Sequence, residues 1–218
     1  MSTQNAILFD LDGTILDTAH DLTMALNKVM HHYNPKKEFT LAEARRVVGY
    51  GSEAIFHELL PEYAPHISFT EFSLAFREAY FKENHGSTTF FEGMTELLNE
   101  LNTRKIVWGI VTNKTEAGAK QAVKHFPLLQ TAQCVVGCDT TGKGKPSPEP
   151  LLYGCREINV LPEHCLFVGD TVIDMEAAHH AKLKSLAVDY GYGTKDIIHG
   201  KFPPFAWITS PLEVLNFV

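Results

Sequence analysis

Two carboxylates near the start of the chain have the spacing needed to share one bound cation. Asp10 and Asp12 follow the apolar run Ala6–Phe9, which is long enough for a buried strand. Residues two apart on an extended chain point to the same side, so both carboxylates are expected to face one site. At about 4 Å, with an effective dielectric near ~20, their repulsion costs about 4 kcal/mol. Either one carboxyl group stays protonated or a cation lies between the two.

Two later acids, Asp170 and Asp174, follow a second apolar run. A spacing of four residues places them on one side of a helical turn, so Asp174 is expected to point back toward Asp170. Helix capping by Asp170 or by Thr171 explains one of these acids but not both. One acid of the pair is therefore left for another role.

A hydroxyl and an amide occupy a third position of interest. Thr112 and Asn113 follow the apolar run Ile106–Val111, and the carboxyl end of a strand is where open α/β sheets bind ligands. The helix expected next has an N-terminus that favours anions. The competing interpretation is a plain helix cap, formed by Asn113 or by Thr115.

The loop Gly142–Pro148 carries two lysines, Lys143 and Lys145. A lysine beside aspartates and a bound anion offsets their charge as a compact cation. The competing interpretation is a flexible basic loop.

Apolar runs and helical patterns alternate along most of the chain. Five short buried strands are predicted, at Ala6–Asp10, Ile106–Val111, Cys134–Gly137, Cys165–Gly169 and Ser185–Val188. Helical patterns lie between most of them, at Gly93–Thr103, Thr115–His125, Pro148–Ile158 and Val172–Lys182. This alternation implies parallel pairing and right-handed crossovers. The predicted fold class is α/β, with a doubly wound parallel sheet and a candidate edge strand at Trp207–Ile208.

One interval, from Asp17 to about Thr88, shows only helical periodicity. We predict an all-helical domain at residues 17–88, inserted into an α/β core formed by residues 1–16 and 89–218. Both ends of the insertion fall beside the acidic strand tip, so a mobile lid over the site is expected. The alternative is a helical layer packed permanently on the sheet.

Taken together, the motifs resemble those of the haloacid dehalogenase-like (HAD) phosphohydrolases. The motifs DxDGT, VTN, KP and GDxxxD occur in the family's order, and the resemblance covers essentially the whole chain. It implies a phosphatase with a Rossmann-like core, in which Asp10 is the nucleophile and Asp12 the general acid and base. The Thr14 hydroxyl is an expected partner of Asp12.

The resemblance also implies how the phosphate is held. Thr112, Asn113 and Lys145 are assigned to the phosphate, and Lys145 is chosen over Lys143 because it directly precedes a proline. The implied reaction is hydrolysis of a phosphate monoester through an aspartyl-phosphate intermediate.

The implied cofactor is Mg²⁺. It would be held by Asp10, by the backbone carbonyl of Asp12 and by Asp170, with Asp174 binding directly or through water.

The helical insertion resembles the type-1 cap, and Val47–Gly51 resembles the cap segment of phosphoglycolate phosphatase-like members. Gly49 and Gly51 are candidate substrate contacts, with a helix-ending turn as the alternative. Arg45 is a candidate partner for a substrate carboxylate, with a solvated surface arginine as the alternative. One departure from the family is Lys182, which stands where a glycine is common and questions the local packing of helix on strand.

Composition limits the partners. The 218 residues, 44% of them hydrophobic, can bury a real core, and a formal charge of −7 argues against nucleic acid or a membrane surface as a partner. The four cysteines match no paired zinc pattern, and Cys134 and Cys165, which lie in apolar runs, are expected to be buried thiols in a reducing compartment. No signal-peptide pattern and no membrane-length apolar run occur, so a cytoplasmic protein is expected. The partner that the family resemblance implies is a small phosphorylated metabolite. The sequence does not reveal the oligomeric state.

Three other activities compete with the phosphatase interpretation. A phosphosugar mutase of the same family would carry the same motifs. A non-catalytic phospho-acceptor, such as a receiver domain, would lack the helical insertion and the acid two residues past its acceptor. A dehalogenase is least favoured because it does not need Asp12 or the metal-binding acids.

Overall fold

The computed structural model describes residues 6–82 and 86–218, which form two compact units. The larger unit runs up to Leu16 and resumes at Phe90, and the smaller unit spans Asp17–Thr89. Among the described residues, none of the helices has the length and apolar character needed to cross a lipid bilayer.

The strands are β1 (Ala6–Phe9), β2 (Leu16–Asp17), β3 (Thr89–Phe90), β4 (Val107–Val111), β5 (Val135–Val136), β6 (Cys165–Gly169), β7 (Lys184–Val188) and β8 (Ala206–Ile208). Six of them form one parallel sheet in the order β5-β4-β1-β6-β7-β8, whereas β2 pairs with β3. Strand β1 therefore lies between β4 and β6, and it pairs in register with both.

The larger unit contains the helices α5 (Met94–Thr103), α6 (Glu116–His125), α7 (Glu149–Glu157), α8 (Val172–Ala181) and α9 (Thr194–Ile198). Side chains alternate across β1, so Ile7 and Phe9 pack in one apolar cluster and Leu8 packs in another. The first cluster includes residues of α5 and α6, and the second includes residues of α7 and α8. Both faces of the sheet are thus covered, which confirms the predicted doubly wound α/β fold.

The smaller unit consists of α1 (Ala19–Tyr33), α2 (Leu41–Val48), α3 (Ser52–Tyr63) and α4 (Phe69–Lys82), with the first residue of β3 at its end. Apolar residues at helical spacing on α1 and α4 are buried, including Leu26, Met30, Phe72 and Phe76. On α1 the buried carboxylate of Asp21 accepts hydrogen bonds from the Ser87 N–H and, at 2.6 Å, from the Thr88 hydroxyl. The two chain ends of this unit are thereby linked to each other.

Candidate active site

Polar side chains from three adjacent strands meet at the carboxyl edge of the sheet. Asp10 directly follows β1, and its N–H donates to the Val168 carbonyl of β6 at 2.9 Å. Asp170 follows β6, and Thr112 follows β4 on the other side of β1. Because parallel strands end at one edge, residues far apart in sequence become neighbours there.

Three buried carboxylates form the centre of this edge. Asp10, Asp170 and Asp174 each offer an oxygen, and these oxygens lie within 4.8 Å of one another. Burial raises the pKa of Asp170 well above its usual value, and the charges of Asp174 and Asp10 raise it further. Crowded buried carboxylates of this kind are stabilised by a cation.

The side chain of Lys145 supplies one such positive charge, with 1% of its surface exposed. Its Nζ lies 2.8 Å from Asp10 Oδ1 and 2.7 Å from Asp174 Oδ1. Burial alone would lower the pKa of Lys145, but the two carboxylates outweigh burial and raise it. For Asp10 the balance is reversed, since burial raises its pKa more than Lys145 lowers it. Lys143, in contrast, is exposed and pairs with Glu149 at 2.8 Å.

Asn113 fixes the backbone that carries Lys145. The Lys145 N–H donates to Asn113 Oδ1 at 2.7 Å, and Asn113 Nδ2 donates to the Lys145 carbonyl at 2.8 Å. Both polar atoms of the Asn113 side chain therefore bind the loop that carries Lys145. This differs from the phosphate-binding role that the family resemblance implied. The alternative role of helix cap falls to Thr115, whose hydroxyl accepts from the Gly118 N–H at 3.3 Å.

Asp174 combines a capping role with the Lys145 contact. Its Oδ2 accepts from the N–H groups of Asp170 and Thr171 at 3.2 and 3.0 Å and from the Thr171 hydroxyl at 2.6 Å. One oxygen thus holds the start of α8 while the other binds Lys145. Thr171 is the N-cap of α8 and Asp174 completes its capping box, which confirms the expected cap at Thr171; the second role of Asp174 was not expected.

Asp170 is enclosed by two glycines. A Cβ on Gly13 would lie 2.3 Å from Asp170 Oδ2, and a Cβ on Gly191 would lie 2.2 Å from the Cβ of Asp170. Gly13 also has a φ of +90°, which disfavours other residues. The carboxylate accepts from the Tyr192 N–H at 2.7 Å and from the Thr14 hydroxyl at 3.2 Å. The structure thus gives the Thr14 hydroxyl to Asp170, and the expected pairing of Thr14 with Asp12 is wrong.

Asp12 has a basic partner that was not predicted from the sequence. Lys114 Nζ lies 2.9 Å from Asp12 Oδ2, and the two side chains are 12% and 11% exposed. The other oxygen, Oδ1, is buried without a hydrogen-bond partner among the described residues. Lys114 follows Thr112 by two residues, and its N–H donates to the Thr112 hydroxyl at 3.2 Å. The signal available in the sequence was only that a lysine follows the Thr-Asn pair.

The donor set fits a hard divalent cation. Carboxylate oxygens are the ligands that Mg²⁺ prefers, and the cluster of Asp10, Asp170 and Asp174 supplies three. The side chain of Asp12 is not part of this cluster and pairs with Lys114. The expected metal contact of the Asp12 backbone carbonyl stays a prediction.

The three candidate contacts of the smaller unit have local structural surroundings. Arg45 pairs with Asp17 at 3.2 Å, and both side chains are about one-third exposed, at 35% and 32%. Gly49 caps the end of α2. Gly51 is the N-cap of α3, with a φ of +92°, and its N–H donates to the Val48 carbonyl of α2 at 3.3 Å, so it lies in the turn between the two helices.

Comparison with known proteins places these features in a family. The family model for haloacid dehalogenase-like hydrolases matches residues 7–188. The chain is 32% identical to an N-acetylmuramic acid 6-phosphate phosphatase from Pseudomonas putida, covering 98% of this chain and 95% of that protein. It is 33% identical to a phosphoglycolate phosphatase from Xanthomonas campestris pv. campestris, covering 90% and 88%.

A solved structure shows the same fold. A haloacid dehalogenase-like hydrolase from Streptococcus pneumoniae superposes with a TM-score of 0.84 at 23% identity, over 100% of this chain and 99% of that one. The family expected from the motifs is confirmed, and with it the expectation of a phosphoric monoester hydrolase. The chain belongs to the haloacid dehalogenase-like hydrolases.

Proposed function

We propose that the chain is a Mg²⁺-dependent phosphatase that hydrolyses a small phosphate monoester through an aspartyl-phosphate intermediate. The substrate is phosphoglycolate-like or a sugar phosphate. The observation that carries the proposal is the placement of Asp10 at the tip of the central strand, 2.8 Å from Lys145 and beside two further carboxylates. This cluster combines a nucleophile with fixed positive charge, as phosphoryl transfer requires.

In the first step a carboxylate oxygen of Asp10 attacks phosphorus, and the bond from phosphorus to the ester oxygen breaks. Asp12 gives its proton to that leaving oxygen. Lys145 and the Thr112 hydroxyl stabilise the charge on the remaining phosphoryl oxygens. Asp10, the Asp12 carbonyl, Asp170 and Asp174 would hold Mg²⁺, which would supply further charge stabilisation when bound.

In the second step Asp12 acts as a base. It takes a proton from a water molecule, whose oxygen attacks the phosphorus of the aspartyl phosphate. The bond between phosphorus and Asp10 breaks, which restores the Asp10 carboxylate and releases inorganic phosphate. The same carboxyl group thus gives a proton in one step and recovers one in the next.

The remaining groups act around these steps. Asn113 positions Lys145 through its two hydrogen bonds to the lysine backbone. The helical domain at residues 17–88 acts as a mobile cap, with Arg45, Gly49 and Gly51 as its candidate substrate contacts.

The test is the variant Asp10→Asn, assayed with p-nitrophenyl phosphate in the presence of Mg²⁺. Turnover should be abolished while the circular dichroism spectrum and the melting transition stay native-like. Activity above a few per cent of wild type would contradict the nucleophile assignment. The exposed acid Asp189 provides the matched control, because Asp189→Asn should retain full turnover.

Assays with p-nitrophenyl phosphate and with glucose 1-phosphate separate the competing activities. A phosphatase releases phosphate with every turnover, whereas a phospho-acceptor would be labelled once without turnover. Isomerisation of glucose 1-phosphate without phosphate release would instead indicate a mutase.

A further inference from the structure

Each carboxylate of the Asp10 and Asp12 pair lies beside a lysine of its own. Lys145 Nζ is 2.8 Å from Asp10, and Lys114 Nζ is 2.9 Å from Asp12. The two lysines differ in exposure, since the Lys145 side chain is 1% exposed and that of Lys114 is 12% exposed. Lys114 is therefore the lysine that a molecule arriving from solvent can contact.

The position of Lys114 is held from both sides of its backbone. Its N–H donates to the Thr112 hydroxyl at 3.2 Å, and its carbonyl accepts from the Cys138 N–H at 3.0 Å. Its stem passes close to Gly118 of α6, where an added Cβ would lie only 3.0 Å from Lys114 Cγ. The hydrogen-bonded backbone and the confined side chain together hold the ammonium group of Lys114 beside Asp12.

The location of Lys114 relative to the reaction follows from the proposed function, on which this inference rests. A general acid lies within hydrogen-bond reach of the leaving oxygen, about 2.6–3.2 Å. Since Lys114 binds Oδ2 of Asp12 and Oδ1 has no partner among the described residues, Oδ1 is the oxygen turned to the leaving group. The ammonium group is then separated from the leaving oxygen by the width of one carboxyl group.

We propose that Lys114 is a specificity-determining residue that binds an anionic group on the carbon attached to the ester oxygen. The substrate class is that of the 2-phospho carboxylic acids, with 2-phosphoglycolate as the smallest member. In these molecules the carboxylate begins one carbon beyond the ester carbon, so it can reach a cation beside the leaving oxygen. The ammonium can donate three hydrogen bonds, and the bond to a carboxylate is charge-assisted. A sugar phosphate has a neutral carbon or oxygen at this position.

The test uses three substrates with wild type and Lys114→Met. p-Nitrophenyl phosphate has a good leaving group and needs little acid catalysis. Ethyl phosphate needs the general acid but has no carboxylate. 2-Phosphoglycolate needs the general acid and also carries a carboxylate. Relative to ethyl phosphate, kcat/KM for 2-phosphoglycolate should fall by a further factor of about 10–100 in Lys114→Met, since the lost hydrogen bond joins two charged groups. Lys114→Arg should recover part of this loss.

The control is Lys143→Met, which removes an exposed lysine paired with Glu149 and should leave all three rates unchanged. An equal loss on ethyl phosphate and 2-phosphoglycolate would overturn the inference, because Lys114 would then serve Asp12 alone. If Lys114→Met does not fold, wild type decides the question: a kcat/KM for 2-phosphoglycolate no higher than for ethyl phosphate would also overturn it. Failure of wild type to hydrolyse p-nitrophenyl phosphate would instead refute the proposed function.

Discussion

Asn113 holds Lys145 by both polar groups of the lysine backbone, donating to its carbonyl at 2.8 Å and accepting from its N–H at 2.7 Å. These bonds join the end of β4 to the loop that carries the lysine. Because the Lys145 side chain is buried between Asp10 and Asp174, a small shift of the loop would move its ammonium group away from both carboxylates.

The variant Asn113→Ala should therefore lower kcat more than it changes KM. It leaves two backbone groups of Lys145 without this partner, which costs about 1–3 kcal/mol of stability for each buried group that water cannot reach. Steady-state kinetics and urea unfolding measure the two effects. Asn113→Asp keeps the acceptor for the Lys145 N–H but sets a carboxylate oxygen against the Lys145 carbonyl, so it should also lose stability. The exposed Asn99→Ala on α5 serves as the control. An unchanged kcat in Asn113→Ala would show that the loop keeps its position without the amide.

Asp174 should be as important for stability as for turnover. In Asp174→Asn, an amide N–H group must face either Lys145 or the donors of Asp170 and Thr171, so one contact becomes donor against donor. Breaking a buried ion pair typically costs about 3–5 kcal/mol. Urea unfolding without added metal measures this loss. Asp189→Asn, at an exposed acid, should stay within about 0.5 kcal/mol of wild type. A similarly small effect in Asp174→Asn would show that the Lys145 contact contributes little.

Magnesium should stabilise the folded chain in addition to supporting turnover. The three carboxylate oxygens within 4.8 Å repel one another, and a cation bound only by the folded state adds about 2.7 kcal/mol at one hundred times its dissociation constant. Melting curves with Mg²⁺ and with EDTA measure this shift without reference to activity. The shift should shrink in Asp170→Asn and persist in Asp189→Asn. Equal shifts in wild type and Asp170→Asn would place the ion elsewhere.

The sheet and the acidic residues at its edge were predictable because they depend on local patterns. Apolar runs ending in Asp10, Thr112 and Asp170 predict strand tips, and parallel strands bring such tips to one edge. The two-residue strands β2 and β3 were missed because two residues show no periodicity.

The partners within the site were less predictable because the fold, rather than sequence distance, selects them. The Thr14 hydroxyl was expected to bind Asp12, its near neighbour, but it donates to Asp170 on the adjacent strand. Lys114 reaches Asp12 from the loop after β4, and nothing near Asp12 in the sequence indicates this contact. Residue type and spacing therefore located the groups, whereas the choice of partner required the register of three strands.

Lys182 has a strained backbone conformation that a glycine at this position would relieve. It ends α8 with a φ of +61°, and it is exposed. The left-handed conformation costs a residue with a side chain about 1–2 kcal/mol, and glycine avoids this cost but loses more chain entropy on folding. We therefore expect Lys182→Gly to raise the unfolding free energy by about 0.5–1 kcal/mol. As the matched control, Lys120→Gly within α6 should lower it by about 1 kcal/mol. A loss of stability in Lys182→Gly, measured by urea unfolding, would show that the lysine side chain contributes more to the end of this helix than its backbone conformation costs.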